Sequence, residues 1–232
     1  GVVTQMKLSI CIPGRDMAYW RSWSSIMQAT LQGIGYLDHK FGDLAQVQFH
    51  STGRATVCEA RNMLMATSLK SGADWILWMD DDAVPPPDMV ARLFEQKKDL
   101  IAPVFFKRNA TPVTGNLDAD ETGKTIIDPY PPRLFKADVT GFHTVLMRRH
   151  VAEDVCKQCD PHPPFNEVRE GDTKIGEDYW FFRAAKQAGH QLWIDSRIDV
   201  GHIAVGQVGM KEYEAIRPQL KRAERNKEVT VG

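Results

Sequence analysis

Strand and helix signals alternate through the first hundred residues, which predicts an α/β fold: a single domain with a mostly parallel central sheet flanked by helices. Three observations carry this. The run Trp75, Ile76, Leu77, Trp78, Met79 is apolar throughout, as a strand buried on both faces must be. Two strand–helix units precede it. The chain has 232 residues, 43% hydrophobic and 25% charged, which suits one domain with a substantial core.

Residues 7–13 read as the first strand, and Trp20, Trp23, Ile26, Met27, Thr30 and Leu31 recur at helical spacing up to Gly33. Ala45, Val47 and Phe49 alternate with Gln46, Gln48 and His50 as a second strand, followed by a helix over 56–69 closed by Gly72. After the third strand, Pro85, Pro86 and Pro87 with Asp88 suit a helix start, and 100–104 is a fourth strand. Residues 107–136 dissolve into Thr, Pro, Asn, Gly and Asp and predict a long functional loop. A strand over 139–148, a short helix over 149–158 and a second Pro- and Gly-rich loop over 160–176 follow. A helix over 177–188 ends at Gly189, residues 192–194 form a strand, and Ile198 and Val200 alternate toward His202. The expected division is one domain over 1–210 and a charged C-terminal helix or tail over 211–232, read as a solvated face.

The net charge of −1 gives no sign of a broad polyanion-binding surface, although Arg148, Arg149 and His150 form a small basic patch. No segment approaches the roughly 20 apolar residues of a membrane span, and no signal-peptide layout opens the sequence, so a cytoplasmic, soluble protein is expected. The four cysteines are too few for a disulfide scaffold. Cys156 and Cys159 form a C-x-x-C near His150 and His162, but a structural zinc site needs a second pair, so thiols are favoured. Neither a Walker A sequence nor a dinucleotide-binding glycine fingerprint occurs.

The apolar run ends abruptly in Asp80, Asp81 and Asp82. Ligands of open α/β sheets bind beyond the strand ends, and an all-oxygen cluster suits a hard divalent cation such as Mg or Mn. A tight turn held by Asp side chains is the competing reading. A calcium loop of the EF-hand type is excluded, because Val84 stands where a third ligand belongs.

Four blocks, in order, resemble the GT-A fold glycosyltransferases, especially family 2 and its phage or viral relatives. They are 9–15 with Pro13 and Arg15, then Ala60-Arg61-Asn62, Asp80-Asp81-Asp82, and Gly176-Glu177-Asp178-Tyr179 with Val200-Gly201-His202 behind it. The resemblance covers residues 7 to about 205 and implies a GT-A (Rossmann-like) domain. It implies that Pro13, Arg15, Arg61, Asp80 and Asp81 contact a nucleotide-sugar donor, and that Asp82 and His202, with Asp80 on metal or ribose, hold the metal. Where family 2 members often carry a second acidic pair, this chain has His50-Ser51-Thr52-Gly53.

Glycosyl transfer develops negative charge on a departing diphosphate and needs a base for the attacking hydroxyl. The resemblance accordingly implies an enzyme that uses Mn or Mg and a UDP-linked sugar, with Asp178 as general base, Glu177 as its understudy, and inversion by direct displacement. Helix-start capping is the competing account of both acids. Lys107 and Arg108 are candidate diphosphate contacts, and Gly141 and Trp180 candidate pocket residues. The acceptor is a glycan, a protein, a lipid-linked sugar or a modified nucleic-acid base, and the oligomeric state is open. A nucleotidyltransferase acting on a sugar phosphate and a non-catalytic carbohydrate-binding relative are the alternatives.

Overall fold

A computed structural model describes residues 5–14, 19–42, 45–53, 55–119, 121, 123–171, 173–203 and 207–230, the last eight and 207–208 by backbone alone. In chain order the elements are β1 (Met6–Pro13), α1 (Trp20–Phe41), β2 (Ala45–Thr52), α2 (Val57–Lys70), β3 (Trp75–Met79), β4 (Ala83–Val84), α3 (Met89–Glu95) and β5 (Leu100–Pro103). Then come β6 (Gly115–Leu117), β7 (Lys124–Ile126), β8 (Leu134–Ala137), β9 (Thr144–Arg148), α4 (Arg149–Cys159), β10 (Val168–Glu170) and β11 (Thr173–Ile175). The chain closes with α5 (Glu177–Gln187), β12 (Leu192–Asp195), β13 (Gly201–Ile203), β14 (Gln207–Val208) and α6 (Met210–Thr230).

The seven-stranded sheet has the order β2-β1-β3-β9-β5-β12-β8. β1 pairs in parallel with β2 and β3, and β5 with β12. β9 is inserted antiparallel between β3 and β5, and β8 closes one edge antiparallel to β12. Five of the seven strands point the same way, as the alternation predicts. Burial explains the unbroken apolar run of β3. Ile76 and Trp78 enter a core with Leu64, Phe142, Phe165 and Phe181, whereas Trp75, Leu77 and Met79 enter a second core with Ile26, Leu37, Val90 and Leu93. A strand sandwiched between two helical layers has no face left for a polar residue.

Several elements differ from expectation, each for a physical reason. α1 does not stop at Gly33 but continues to Phe41 and ends at Gly42, whose φ of 69° only glycine adopts without strain. Gly33 is a packing residue: a Cβ there would lie 2.7 Å from Val90 Cβ, so its bare backbone lets α1 and α3 close together. α2 begins as predicted, with Thr56 and Glu59 forming a reciprocal capping box. The expected loop over 107–136 contains the β6–β7 hairpin and the edge strand β8, and the loop over 160–176 contains the β10–β11 hairpin. Strands of three or four residues are too short to show a period.

The expected strand over 139–148 shortens to β9, because 141–143 belong to the site described below. α6 is not a free solvated rod: Met210 and Tyr213 are buried, and Asp128 accepts hydrogen bonds from Tyr213 Oη (2.6 Å) and Arg217 Nη2 (2.6 Å). No helix among the described residues is long and apolar enough to cross a membrane.

Candidate active site at the strand ends

β3 delivers Asp80 directly to the carboxyl end of the sheet, where the chain turns with Ala83 N–H donating to the Asp80 carbonyl (3.0 Å). The turn reading of the acidic run is therefore correct for the backbone, while its side chains point to other partners. β4 leaves this turn and pairs antiparallel with β13, with His202 opposite Ala83 and Ile203 N–H bonded to the Asp82 carbonyl (2.9 Å). That pairing brings together side chains 120 residues apart: His202 Nε2 lies 2.9 Å from Asp82 Oδ2. His202 Nδ1 lies 3.2 Å from the Phe106 carbonyl, which can only accept, so the proton on Nδ1 is fixed and Nε2 faces the carboxylate.

A third group stands beside this pair. The ladder between β3 and β9 extends one step past Met79, with Asp80 N–H donating to the His143 carbonyl (2.8 Å), so His143 sits at the acidic strand end. Its side chain is buried, its Nε2 is 3.8 Å from Asp82 Oδ1, and that nitrogen has no hydrogen-bond partner among the described residues. Phe105 stacks on the His143 ring at 5.0 Å and leans on His202 at 5.5 Å. Gly141 makes room for it, since a Cβ there would come within 2.1 Å of the Phe105 ring. The expected pocket residue Gly141 thus shapes the site through Phe105. Asp82, His143 and His202 each offer a ligand atom within 4.8 Å of the others; Cys58, Glu167 and Glu177 form a second such group. Sequence reasoning missed His143, whose one signal was a histidine opening an otherwise apolar strand.

Charge follows this geometry. Burial alone would raise the Asp82 carboxyl, but the His202 hydrogen bond, the nearby His143 and His202 rings and Arg108 Nη2 at 3.1 Å overcome it and hold the group at about 2. Burial lowers His143 to about 3, helped by His202, so the ring is neutral. His202 is raised, because Asp82 and the Phe106 carbonyl outweigh the opposing effect of burial.

Arg61, from α2, is almost wholly buried and bridges two acidic segments. Its Nη2 donates to Asp80 Oδ1 (3.1 Å) and to the Phe142 carbonyl (3.3 Å), and its Nη1 to Glu177 Oε1 (2.8 Å). The guanidinium expected on a diphosphate is therefore engaged by these two carboxylates. Burial raises Asp80 to about 6 despite Arg61, with Asp82 and Asp81 adding to the rise. Glu177 and Asp178 occupy the first turn of α5, where Asp178 Oδ1 accepts from Tyr179 N–H (2.7 Å). The helix-start placement thus holds for both acids, while Glu177 also pairs with Arg61.

Pro13 and Gly14, at the end of β1, line one crevice with Tyr19, Asp80, Asp81, Asp82 and Arg108. Arg15 lies outside the described residues. Trp180 donates from Nε1 to the Pro163 carbonyl (3.2 Å) beside the core. The small basic patch is locally neutralised: Arg148 and His150 face Asp99, and Arg149 pairs with Glu153. Cys156 and Cys159 lie on α4 as free thiols, pushed up by burial, Cys159 to about 11.

The expected α/β architecture is observed, a mostly parallel central sheet flanked by helices. The model of the Anp1 family matches residues 24–120, less than half of the chain. No curated protein matches. Among solved structures, A197 from STIV is similar at 18% identity and a TM-score of 0.49, with 86% of each chain covered. The catalytic domain of Drosophila beta1,4galactosyltransferase 7, in complex with xylobiose, is similar at 15% identity and 0.46, covering 86% of this chain and 71% of that one. The nucleoside-diphosphate-sugar pyrophosphorylase from Vibrio cholerae RC9 follows at 12% and 0.44, covering 81% and 91%. At these scores the likenesses decide nothing about substrate or chemistry.

Proposed function

We propose that this protein is a metal-dependent glycosyltransferase that moves a sugar from a nucleotide diphosphate sugar, UDP-linked, to an acceptor hydroxyl with inversion of the donor anomer. The observation that carries the proposal is the facing pair Asp82 and His202 at the strand ends, 2.9 Å apart. With Nδ1 committed to Phe106, the Nε2 lone pair meets a carboxylate, and two such acceptors approach only around a positive centre. A proton fills that role in His202 as raised by Asp82. A divalent Mn or Mg ion suits the same donors and, when bound, neutralises the charge that develops on a departing diphosphate.

The chain's own groups supply the rest. Pro13, Gly14 and Asp81 border the crevice and take the nucleoside side of the donor. Arg108, exposed and 3.1 Å from the Asp82 carboxylate, would be available to contact the donor's diphosphate. Arg61 fixes Asp80 against the donor side and Glu177 against the acceptor side, which makes it a positioning residue. Asp178 takes the proton of the acceptor hydroxyl. Glu177 is the poorer candidate because its Oε1 is already engaged by Arg61 Nη1 at 2.8 Å.

Incubating sugar nucleotides with the protein, with Mn or with a chelator, tests this. UDP release from one donor, abolished by chelation, is the expected result. Pyrophosphate release from a nucleoside triphosphate and a sugar phosphate would replace the reading with nucleotidyl transfer, and no turnover on any donor and acceptor would leave a carbohydrate-binding relative. Proton NMR of the product anomer decides stereochemistry, and retention removes inversion from the proposal.

A further inference from the structure

Resting on that metal-dependent reading, we infer that His143 is a third protein ligand of the cation, and that the set Asp82, His143 and His202 selects a first-row transition ion such as manganese or cobalt over magnesium. The two imidazoles address different oxygens of one carboxylate: His202 Nε2 meets Oδ2 at 2.9 Å and His143 Nε2 stands 3.8 Å from Oδ1. All three ligand atoms lie within 4.8 Å of one another, a spread that an ion with bonds of about 2.1 Å closes by small side-chain movements.

The state of His143 points to a ligand. Its side chain is 4% exposed and its Nε2 has no hydrogen-bond partner among the described residues, although buried polar atoms are ordinarily satisfied. The ring does not arrive there by slack packing. Its backbone is pinned by Asp80 N–H, Phe105 stacks on its face, and the bare Cα of Gly141 admits Phe105. These contacts hold an otherwise unused nitrogen toward Asp82, which is how a supporting shell orients a metal ligand. Two nitrogen donors and one oxygen donor change the selectivity of the site. Magnesium prefers oxygen and keeps its waters, whereas imidazole favours transition ions, so each added histidine widens the gap between them.

Electron spin echo envelope modulation of the Mn2+-loaded wild-type protein, with and without UDP, counts the imidazoles on the ion, and 15N-histidine labelling confirms the count. The expected result is two. In His143→Gln the count falls to one, and calorimetry shows Mn2+ affinity reduced by at least about 10-fold, no less than for loss of an outer-shell partner, while Mg2+ affinity stays nearly unchanged. Circular dichroism checks the fold, and His143→Asn is the second variant. A wild-type ion carrying one imidazole overturns the assignment of His143 and leaves the metal-dependent reading intact. Failure of the wild type to bind Mn2+ under either condition overturns both. An equal loss of Mn2+ and Mg2+ affinity in His143→Gln removes the selectivity claim, because a purely structural histidine predicts that pattern.

Discussion

Asp128 and Asp82 are both partly buried carboxylates ringed by cations, yet their surroundings differ in kind. Around Asp128 every contact fastens something: Tyr213, Arg217 and Lys221 of α6 converge on it, and its carboxyl is held well below the usual range against the opposing effect of burial. Around Asp82 the contacts come from the ends of separate strands and loops, one is an exposed arginine, and the buried His143 Nε2 beside it has no hydrogen-bond partner among the described residues. The first centre is saturated and stabilises the fold. The second retains unused donors and acceptors, a cost the molecule carries where a ligand can relieve it.

The comparison breaks most readily at Asp82. Asp82→Asn is expected to reduce transfer about 10³-fold or more, since the cation's contribution is several kcal/mol, while the urea midpoint moves little. A rate within tenfold of wild type in a steady-state assay would place the chemistry elsewhere. Arg61→Met is the largest stability change. It removes the buried guanidinium that the partly buried Asp80 and Glu177 share, and a loss of about 3 kcal/mol in urea unfolding is expected. Asp128→Asn should cost less, about 1–3 kcal/mol, and leave the turnover rate unchanged.

Acid titration sharpens the contrast by sign. Asp128, with its folded carboxyl below the unfolded value, contributes stability that is present above about pH 4 and is lost as pH falls. Asp80, raised to about 6, binds its proton more tightly when folded, so stability declines as pH rises between about 4 and 6. Metal-free unfolding across pH should therefore show Asp128→Asn flattening the acid limb and Asp80→Asn removing the decline. Identical profiles for the two variants would erase the distinction. An effect of similar size concerns packing: Gly33→Ala should cost about 1–3 kcal/mol through contact with Val90, with Val90→Ala restoring part of it.

How much of this was legible in the sequence depends on how local each signal is. β3 and the start of α2 could be read because five apolar residues and a Thr56–Glu59 capping pair state their structure within a few positions. The approach of Asp82 and His202 was legible only through motif resemblance, since no local pattern spans 120 residues. His143 escaped both routes. It reaches the acidic end because β9 runs antiparallel to β3, a pairing that a chain of strand–helix units does not announce. Gly33 misled for the opposite reason, since a glycine demanded by helix packing looks like one that ends a helix. Arg61 was expected on phosphate, and only the fold shows Glu177, 116 residues away, competing for it.

The most direct measurement is calorimetric titration of UDP into the wild-type protein with Mn2+ and with chelator, repeated in His202→Ala. Saturable binding that requires the cation and vanishes in the variant is the outcome predicted for a metal held by Asp82 and His202. UDP affinity indifferent to both the cation and His202 would contradict it.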